Sequence, residues 1–79
     1  MNHYLATFHT HLAALKTHRS LVSKGVNARM SPVPRKISSS CGTCVQYYAD
    51  VPYEQCLDTD VEALYRLEDD VAELLKEYE

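Results

Sequence analysis

The residues best suited to chemistry are Cys41 and Cys44, which are separated by two residues at the end of the run P-V-P-R-K-I-S-S-S-C-G-T-C. Their spacing is compatible with a thiol nucleophile, a redox pair or half of a zinc site. The thiolate is the reactive form of cysteine, and neighbouring cations favour it. Because Arg35 and Lys36 precede the first cysteine closely, we expect Cys41 to be the working nucleophile.

Small polar residues fill the rest of this run. The serine hydroxyls could donate hydrogen bonds to a thiolate or to a terminal sulfur atom, and backbone N–H groups around the glycine could form an anion-binding nest. Cys44 is either a second thiol that closes a disulfide with Cys41 or a small apolar residue on a strand. The predicted site comprises the two cysteines with their basic and polar neighbours, namely Cys41, Cys44, Arg35, Lys36, Ser38, Ser39, Ser40 and Gly42.

A zinc site is the competing interpretation of the Cys41-x-x-Cys44 pair. Tetrahedral zinc needs four nitrogen or sulfur ligands, and a Cys-x-x-Cys pair commonly supplies two of them. Cys56 and either His9 or His11 could complete the set, but the sequence has no second Cys-x-x-Cys pair. We therefore expect no metal and no cofactor, with a non-catalytic interaction or zinc module as the alternative function.

Length and composition describe one small domain. We expect residues 1–79 to fold as a single unit whose small core a homo-oligomer could extend. Three cysteines are too few for the disulfide framework of a small secreted protein. No apolar run approaches the roughly 18 residues of a membrane span. The expected location is therefore the cytoplasm, without membrane contact.

Charge is divided sharply along the chain. Residues 1–49 contain six basic and no acidic side chains, whereas residues 50–79 contain all eleven acidic side chains and two basic ones. Such asymmetry indicates either a partner for each face or two halves that attract one another. The acidic half opposes phosphate, and the sequence has neither a glycine-rich phosphate loop nor an RNA-binding motif, so we expect no nucleic-acid partner.

Periodicity predicts the elements that carry these residues. Tyr4 to His9 is typical of a strand, and Thr10 is placed to cap a helix that runs to about Lys24. Alternation predicts a second strand from Val26 to Ser31, and after the loop we expect a third strand over Cys44 to Tyr48. The helix has a stripe at steps of three and four residues, formed by Leu12, Leu15, Arg19 and Val22.

The C-terminal region admits two interpretations. Thr59 and Glu62 form a capping box in front of a heptad stripe, which favours one helix from Asp58 to Tyr78. Alternation from Val61 to Leu67 instead favours a strand, with a short crossover helix ahead of it that includes Cys56. Either order of elements predicts an α+β domain with an antiparallel sheet and helices on one face.

Three segments resemble the family of selenium or sulfur (Se/S) carrier protein-like domains. They read T-F-H-T-H-L-A-A-L-K, M-S-P-V-P-R-K-I-S-S-S-C-G and V-E-A-L-Y-R-L, and together they span most of the chain. The resemblance implies a ferredoxin-like β-α-β-β-α-β fold in which the last segment, Val61 to Leu67, is the fourth strand. This chain departs from the family pattern by a shortened second helix and an appended C-terminal helix.

The same resemblance implies a carrier function. The cysteine of the family loop corresponds to Cys41, whereas Cys44 and Cys56 lie outside the motif. Sulfur or selenium transfer needs a thiolate that can hold and release a persulfide or a selenosulfide. We therefore expect a carrier or accessory protein rather than a turnover enzyme, with separate donor and acceptor proteins as its partners.

Overall fold

Five strands and one helix account for most of residues 1–78, the part of the chain that the structure describes. The structure is a computed structural model. Along the chain the elements are β1 Asn2–Phe8, α1 His11–Ser23, β2 Asn27–Pro32, β3 Thr43–Ala49, a 3-10 turn Glu54–Cys56, β4 Val61–Glu68 and β5 Val71–Glu77.

All strands belong to one antiparallel sheet in the order β2-β3-β1-β4-β5. β1 therefore lies at its centre, where Ala6 is opposite Val45 of β3 on one side and Leu64 of β4 on the other. The α+β class and the antiparallel sheet that the sequence predicts are confirmed. Every residue from Tyr4 to Phe8 is buried, because the core on the α1 side covers Tyr4, Ala6 and Phe8 and a second cluster covers Leu5 on the opposite face.

Helix α1 begins as predicted, since the Thr10 side chain accepts a hydrogen bond of 3.1 Å from the Ala13 N–H. Its buried face differs from the predicted stripe, because Leu12 and Val22 are 57% and 50% exposed. The residues that pack on the sheet are Ala13, Ala14, Thr17 and Leu21. Three of these four side chains are small, and the larger Leu12 and Val22 lie on the solvent side of the helix.

A hydrophobic core fills the space between α1 and the sheet. Cys56 belongs to it and is 6% exposed, as expected for a residue with a packing role. The other large members come from three neighbouring strands, and they are Tyr4, Phe8, Val45, Tyr47 and Leu64.

The opposite face of the sheet carries a second, smaller cluster. Leu5 and Cys44 are fully buried there, although no helix covers this side within residues 1–78. Ile37, from the loop between β2 and β3, packs against them and is 7% exposed. The loop therefore acts as the cover that a second helical layer would otherwise provide.

The C-terminal region is a strand pair, so the predicted C-terminal helix is wrong. Val61 to Leu67 lies within β4, which confirms the strand interpretation, and β5 returns antiparallel beside it. The reversal occurs at Asp69 and Asp70, whose φ angles are +50° and +65°. A two-residue hairpin turn of type I′ needs positive φ at both central positions, and aspartate tolerates them better than most residues.

The predicted second helix is reduced to the single 3-10 turn Glu54–Cys56. Pro52 and Tyr53 precede it, and Tyr53 has a φ of +51°, which a continuing α-helix cannot accommodate. The segment is anchored to the rest of the domain by side chains. The Tyr47 hydroxyl donates to the Pro52 carbonyl, and the Asp58 N–H donates to the Thr17 hydroxyl over 2.9 Å.

The hairpin turn makes a testable prediction about stability. Asp70→Gly should raise the free energy of unfolding by about 0.5–1 kcal/mol, because glycine adopts positive φ without the steric cost that aspartate bears. Urea unfolding measures this change. Asp50→Gly is the matched control and should not stabilise, since Asp50 does not have positive φ. Equal effects at the two positions would contradict the turn geometry.

Candidate functional site

The predicted site lies in the loop of residues 33–42, which joins β2 to β3. The Val33 N–H donates to the Gly42 carbonyl over 3.0 Å and closes the base of this loop. The Ile37 N–H donates to the Pro34 carbonyl over 3.0 Å, and its side chain is buried against the sheet. The loop is thus fixed both at its base and near its middle.

Cys41 is partly exposed at the end of this loop, and its thiol is free. Its side chain contacts the core cluster on the helix side, and Sγ donates to the Thr43 carbonyl over 3.4 Å. Gly42 follows with a φ of +76°, and open space surrounds the position that a Cβ would occupy. A reacting group can therefore approach this part of the loop without meeting a side chain at position 42.

Ser40 is held by Glu62, at the start of β4. Its hydroxyl donates to Glu62 Oε2 over 2.7 Å, and its N–H donates to Glu62 Oε1 over 3.2 Å. His9 Nδ1 lies 3.4 Å from Ser40 Oγ and 3.8 Å from Glu62 Oε2. We call these three residues the Ser40–Glu62–His9 cluster. It fixes the residue that directly precedes Cys41.

The cluster lowers the pKa of the Glu62 carboxyl. Partial burial of its carboxylate raises its pKa, but the two hydrogen bonds from Ser40 and the nearby His9 outweigh this effect. The net result is a pKa of Glu62 below its ordinary value. A carboxylate in this state accepts both Ser40 hydrogen bonds at once.

On the other side of Cys41, Thr43 contacts the start of α1. His11 Nδ1 lies 3.4 Å from the Thr43 hydroxyl. The first turn of α1 contains no acidic side chain.

Cys44 lies in a different environment, on the sheet face that the loop covers. It is fully buried beside Leu5 and Ile37, and its Sγ is 3.2 Å from the Ser31 hydroxyl. Burial raises the pKa of the Cys44 thiol, although the Ser31 hydrogen bond opposes the shift. The two cysteines of the Cys-x-x-Cys pair therefore pack in separate clusters, and neither forms a disulfide.

The other predicted residues are distributed along the loop. Lys36 donates to the Asp70 carbonyl in the β4–β5 turn rather than to a group near Cys41, and Arg35 is exposed. Ser38 is exposed, and the Ser39 hydroxyl is buried without a hydrogen-bond partner among residues 1–78. Among the residues predicted to support Cys41, Ser40 and Gly42 flank it directly, and both are fixed by hydrogen bonds.

Sequence reasoning missed two groups of residues. In the sequence, Glu62 fits either a helix cap or a strand, and His9 fits either a strand end or a zinc ligand. Neither pattern reveals their contact with Ser40, because that contact joins distant parts of the chain. A polar chain beside Cys44 was also missed. In it Gln46 Nε2 donates to Ser31 Oγ over 2.9 Å, and Gln46 Oε1 is 2.8 Å from His3 Nε2.

The zinc alternative finds no support in the geometry. Within residues 1–78, no group of three or more histidine, cysteine, aspartate or glutamate side chains is arranged to hold a metal ion. Cys44 and Cys56 are both buried, whereas His9 and His11 are exposed and contact hydroxyl groups. In the same part of the chain, no helix has the length and apolar character needed to cross a membrane.

The sequence pattern of the family described as "Putative Se/S carrier protein-like" matches residues 3–59. The chain belongs to this family. The matched region runs from β1 through the 3-10 turn and contains the whole Cys41 loop, but it ends before β4. Glu62, which holds Ser40, therefore comes from outside the matched region.

A curated relative extends the comparison. The chain is 31% identical over 45 residues to the uncharacterized protein YtiA of Escherichia coli (strain K12), and the alignment covers 57% of this chain and 53% of that protein. The chain thus spans about half the length of the curated relative it matches. No solved structure matches the chain.

The burial of the cysteines predicts selective labelling. In the native protein, iodoacetamide should modify Cys41 much faster than Cys44 or Cys56, because the latter two are 0% and 6% exposed. Peptide mass spectrometry after timed labelling measures the three rates. In denaturant the three rates should become similar. Native labelling of Cys44 as fast as Cys41 would contradict the described packing.

The Glu62 carboxylate predicts a pH dependence. Folding lowers the pKa of Glu62. The ionised carboxylate therefore stabilises the folded state at pH values above its pKa in the unfolded chain, about 4.3, and this stabilisation is lost as the pH falls through the lower pKa of the folded state. Between about pH 5 and pH 3, stability should therefore fall more in the wild type than in Glu62→Gln. Urea unfolding at each pH measures this, with Glu68→Gln as control, and parallel curves for wild type and Glu62→Gln would refute it.

Proposed function

We propose that this protein is a sulfur or selenium carrier that holds the transferred atom on Cys41 as a persulfide or a selenosulfide. The observation that carries the proposal is the different placement of the three thiols. Cys41 is free and partly exposed in the loop that the family match contains, whereas Cys44 and Cys56 are buried. One accessible thiol is the minimum that such a carrier requires.

The surroundings of Cys41 suit an exchange between macromolecules. The thiol lies at the surface beside the open Gly42, so a partner's reactive sulfur can reach it. A cavity of about 330 Å³ lies elsewhere, between His3, Lys36 and the β4–β5 turn. Cys41 does not line this cavity, so the cavity gives no support for a small-molecule substrate at the thiol.

Donor and acceptor proteins are the partners that this function implies, and the family description agrees with that role. A free persulfide-forming thiol operates in a reducing compartment, so we place the protein in the cytoplasm. We also infer that β2-β3-β1-β4 is a ferredoxin-like sheet in which the 3-10 turn replaces the second helix. β5 is then an addition at the edge.

The proposal predicts a specific adduct. Incubation with a small persulfide such as cysteine persulfide should add one sulfur atom to Cys41, because its thiolate attacks the terminal sulfur of the donor. Intact-mass and peptide mass spectrometry detect the addition. Cys41→Ser should lose it completely, and Cys44→Ala, which leaves the accessible thiol in place, should keep it. Wild-type protein without an adduct, or with one on Cys44, would refute the proposal.

A further inference from the structure

The Ser40–Glu62–His9 cluster is more elaborate than a structural anchor for the loop requires. Glu62 alone accepts both hydrogen bonds of Ser40, so His9 is not needed to fix that residue. Yet His9 Nδ1 points at the same two groups, 3.4 Å from Ser40 Oγ and 3.8 Å from Glu62 Oε2. The result is an imidazole placed beside the residue that precedes the reactive thiol.

We propose that His9, oriented by Glu62, supplies the proton that the donor's sulfur takes up when it leaves during transfer to Cys41. This inference rests on the proposed carrier function. It assigns an acid–base role to His9 and a positioning role to Glu62. It also explains why a carboxylate from β4, outside the family match, is brought to the Cys41 loop.

The orientation of the imidazole supports this role. Its Nδ1 faces Glu62 and Ser40, while Nε2 makes no hydrogen bond within residues 1–78 and the side chain is 49% exposed. A carboxylate beside one ring nitrogen orients the ring, which leaves the other nitrogen to exchange protons with a substrate. Glu62 is itself held in place by its hydrogen bonds to Ser40.

The other charged and titratable groups near His9 do not compete with this arrangement. The His9 N–H donates to the backbone carbonyl of Asp60 over 3.0 Å, which anchors the main chain rather than the ring. His11, two residues further on, is directed to the Thr43 hydroxyl. Glu62 is therefore the carboxylate paired with the His9 ring among residues 1–78.

The transfer step balances without an external oxidant or reductant. The Cys41 thiolate attacks the terminal sulfur of a donor persulfide, R–S–SH, and a new S–S bond forms at Cys41. The S–S bond of the donor breaks, and its electron pair leaves with the inner sulfur as R–S⁻. The protonated imidazole of His9 gives its proton to R–S⁻, which departs as R–SH, and Cys41 is left as the persulfide Cys41–S–SH.

Proton delivery matters because an alkyl thiolate is a poor leaving group. Departure becomes faster as the leaving thiol becomes less basic, and a positioned acid that protonates a leaving group contributes a factor of about 10²–10⁴. An aromatic thiolate, by contrast, is weakly basic and leaves without a proton. A probe with an alkyl leaving group therefore depends on His9 as an acid, whereas a probe with an aromatic leaving group does not. An effect on Cys41 itself would slow both probes.

The test compares two probes in wild type, His9→Gln and the control His11→Gln. With cysteine persulfide, followed at the Cys41 peptide by mass spectrometry, His9→Gln should load at least about tenfold more slowly near pH 6. The difference should shrink as pH rises, because histidine carries its extra proton on the acidic side of neutrality. With an aromatic disulfide that releases nitrothiobenzoate, His9→Gln should react at the wild-type rate. His11→Gln should match the wild type with both probes.

The outcomes separate this inference from the proposed function. If wild type loads sulfur and His9→Gln loads at the same rate at every pH, the acid role of His9 is wrong and the carrier function stands. If His9→Gln slows both probes equally, the effect lies in the Cys41 thiolate or the loop, and the inference is again wrong. If the wild type takes up no sulfur, the proposed function fails together with the inference.

Discussion

Burial of the central strand β1 on both faces is the constraint on which the rest of the structure depends. Helix α1 and the 3-10 turn pack on one face, and within residues 1–78 no helix covers the other. The β2–β3 loop takes that place, with Ile37 seated against Leu5 and Cys44. Because the loop must stay on the sheet to bury Ile37, the end of the loop that carries Cys41 is also held in place. The position of Cys41 thus follows from the packing of a core.

Most of the architecture could be predicted from local patterns. Thr10 and the alternation in β2 and β4 each indicate a local geometry, and the structure has those features. The C-terminal helix could not be excluded in this way, because Leu67, Val71 and Leu74 fit a heptad and a strand pair equally well. Only the pairing of β5 with β4 distinguishes them, and pairing is a long-range property.

The site was predictable only in part, for the same physical reason. Residue type and sequence proximity identify Cys41, and the period of two in β3 places Cys44 on the face opposite Val45. Whether that face is buried depends on where the loop folds. The contact of Ser40 with Glu62 spans 22 positions in sequence and leaves no periodic signal. Lys36 likewise reaches across the sheet to the β4–β5 turn.

The division of charge along the chain does not hold the two halves together. Of the ion pairs within residues 1–78, Arg66 with Glu73 and Lys76 with Glu54 both lie inside the acidic half. The pair that joins the halves is His9 with Glu62, and its cationic member is a histidine rather than a lysine or an arginine. Attraction between the halves is therefore a weak explanation for the asymmetry. Pairing of β1 with β4 and the hydrogen bonds from Ser40 to Glu62 join the two halves, and the His9–Glu62 pair lies beside the Cys41 loop at this junction.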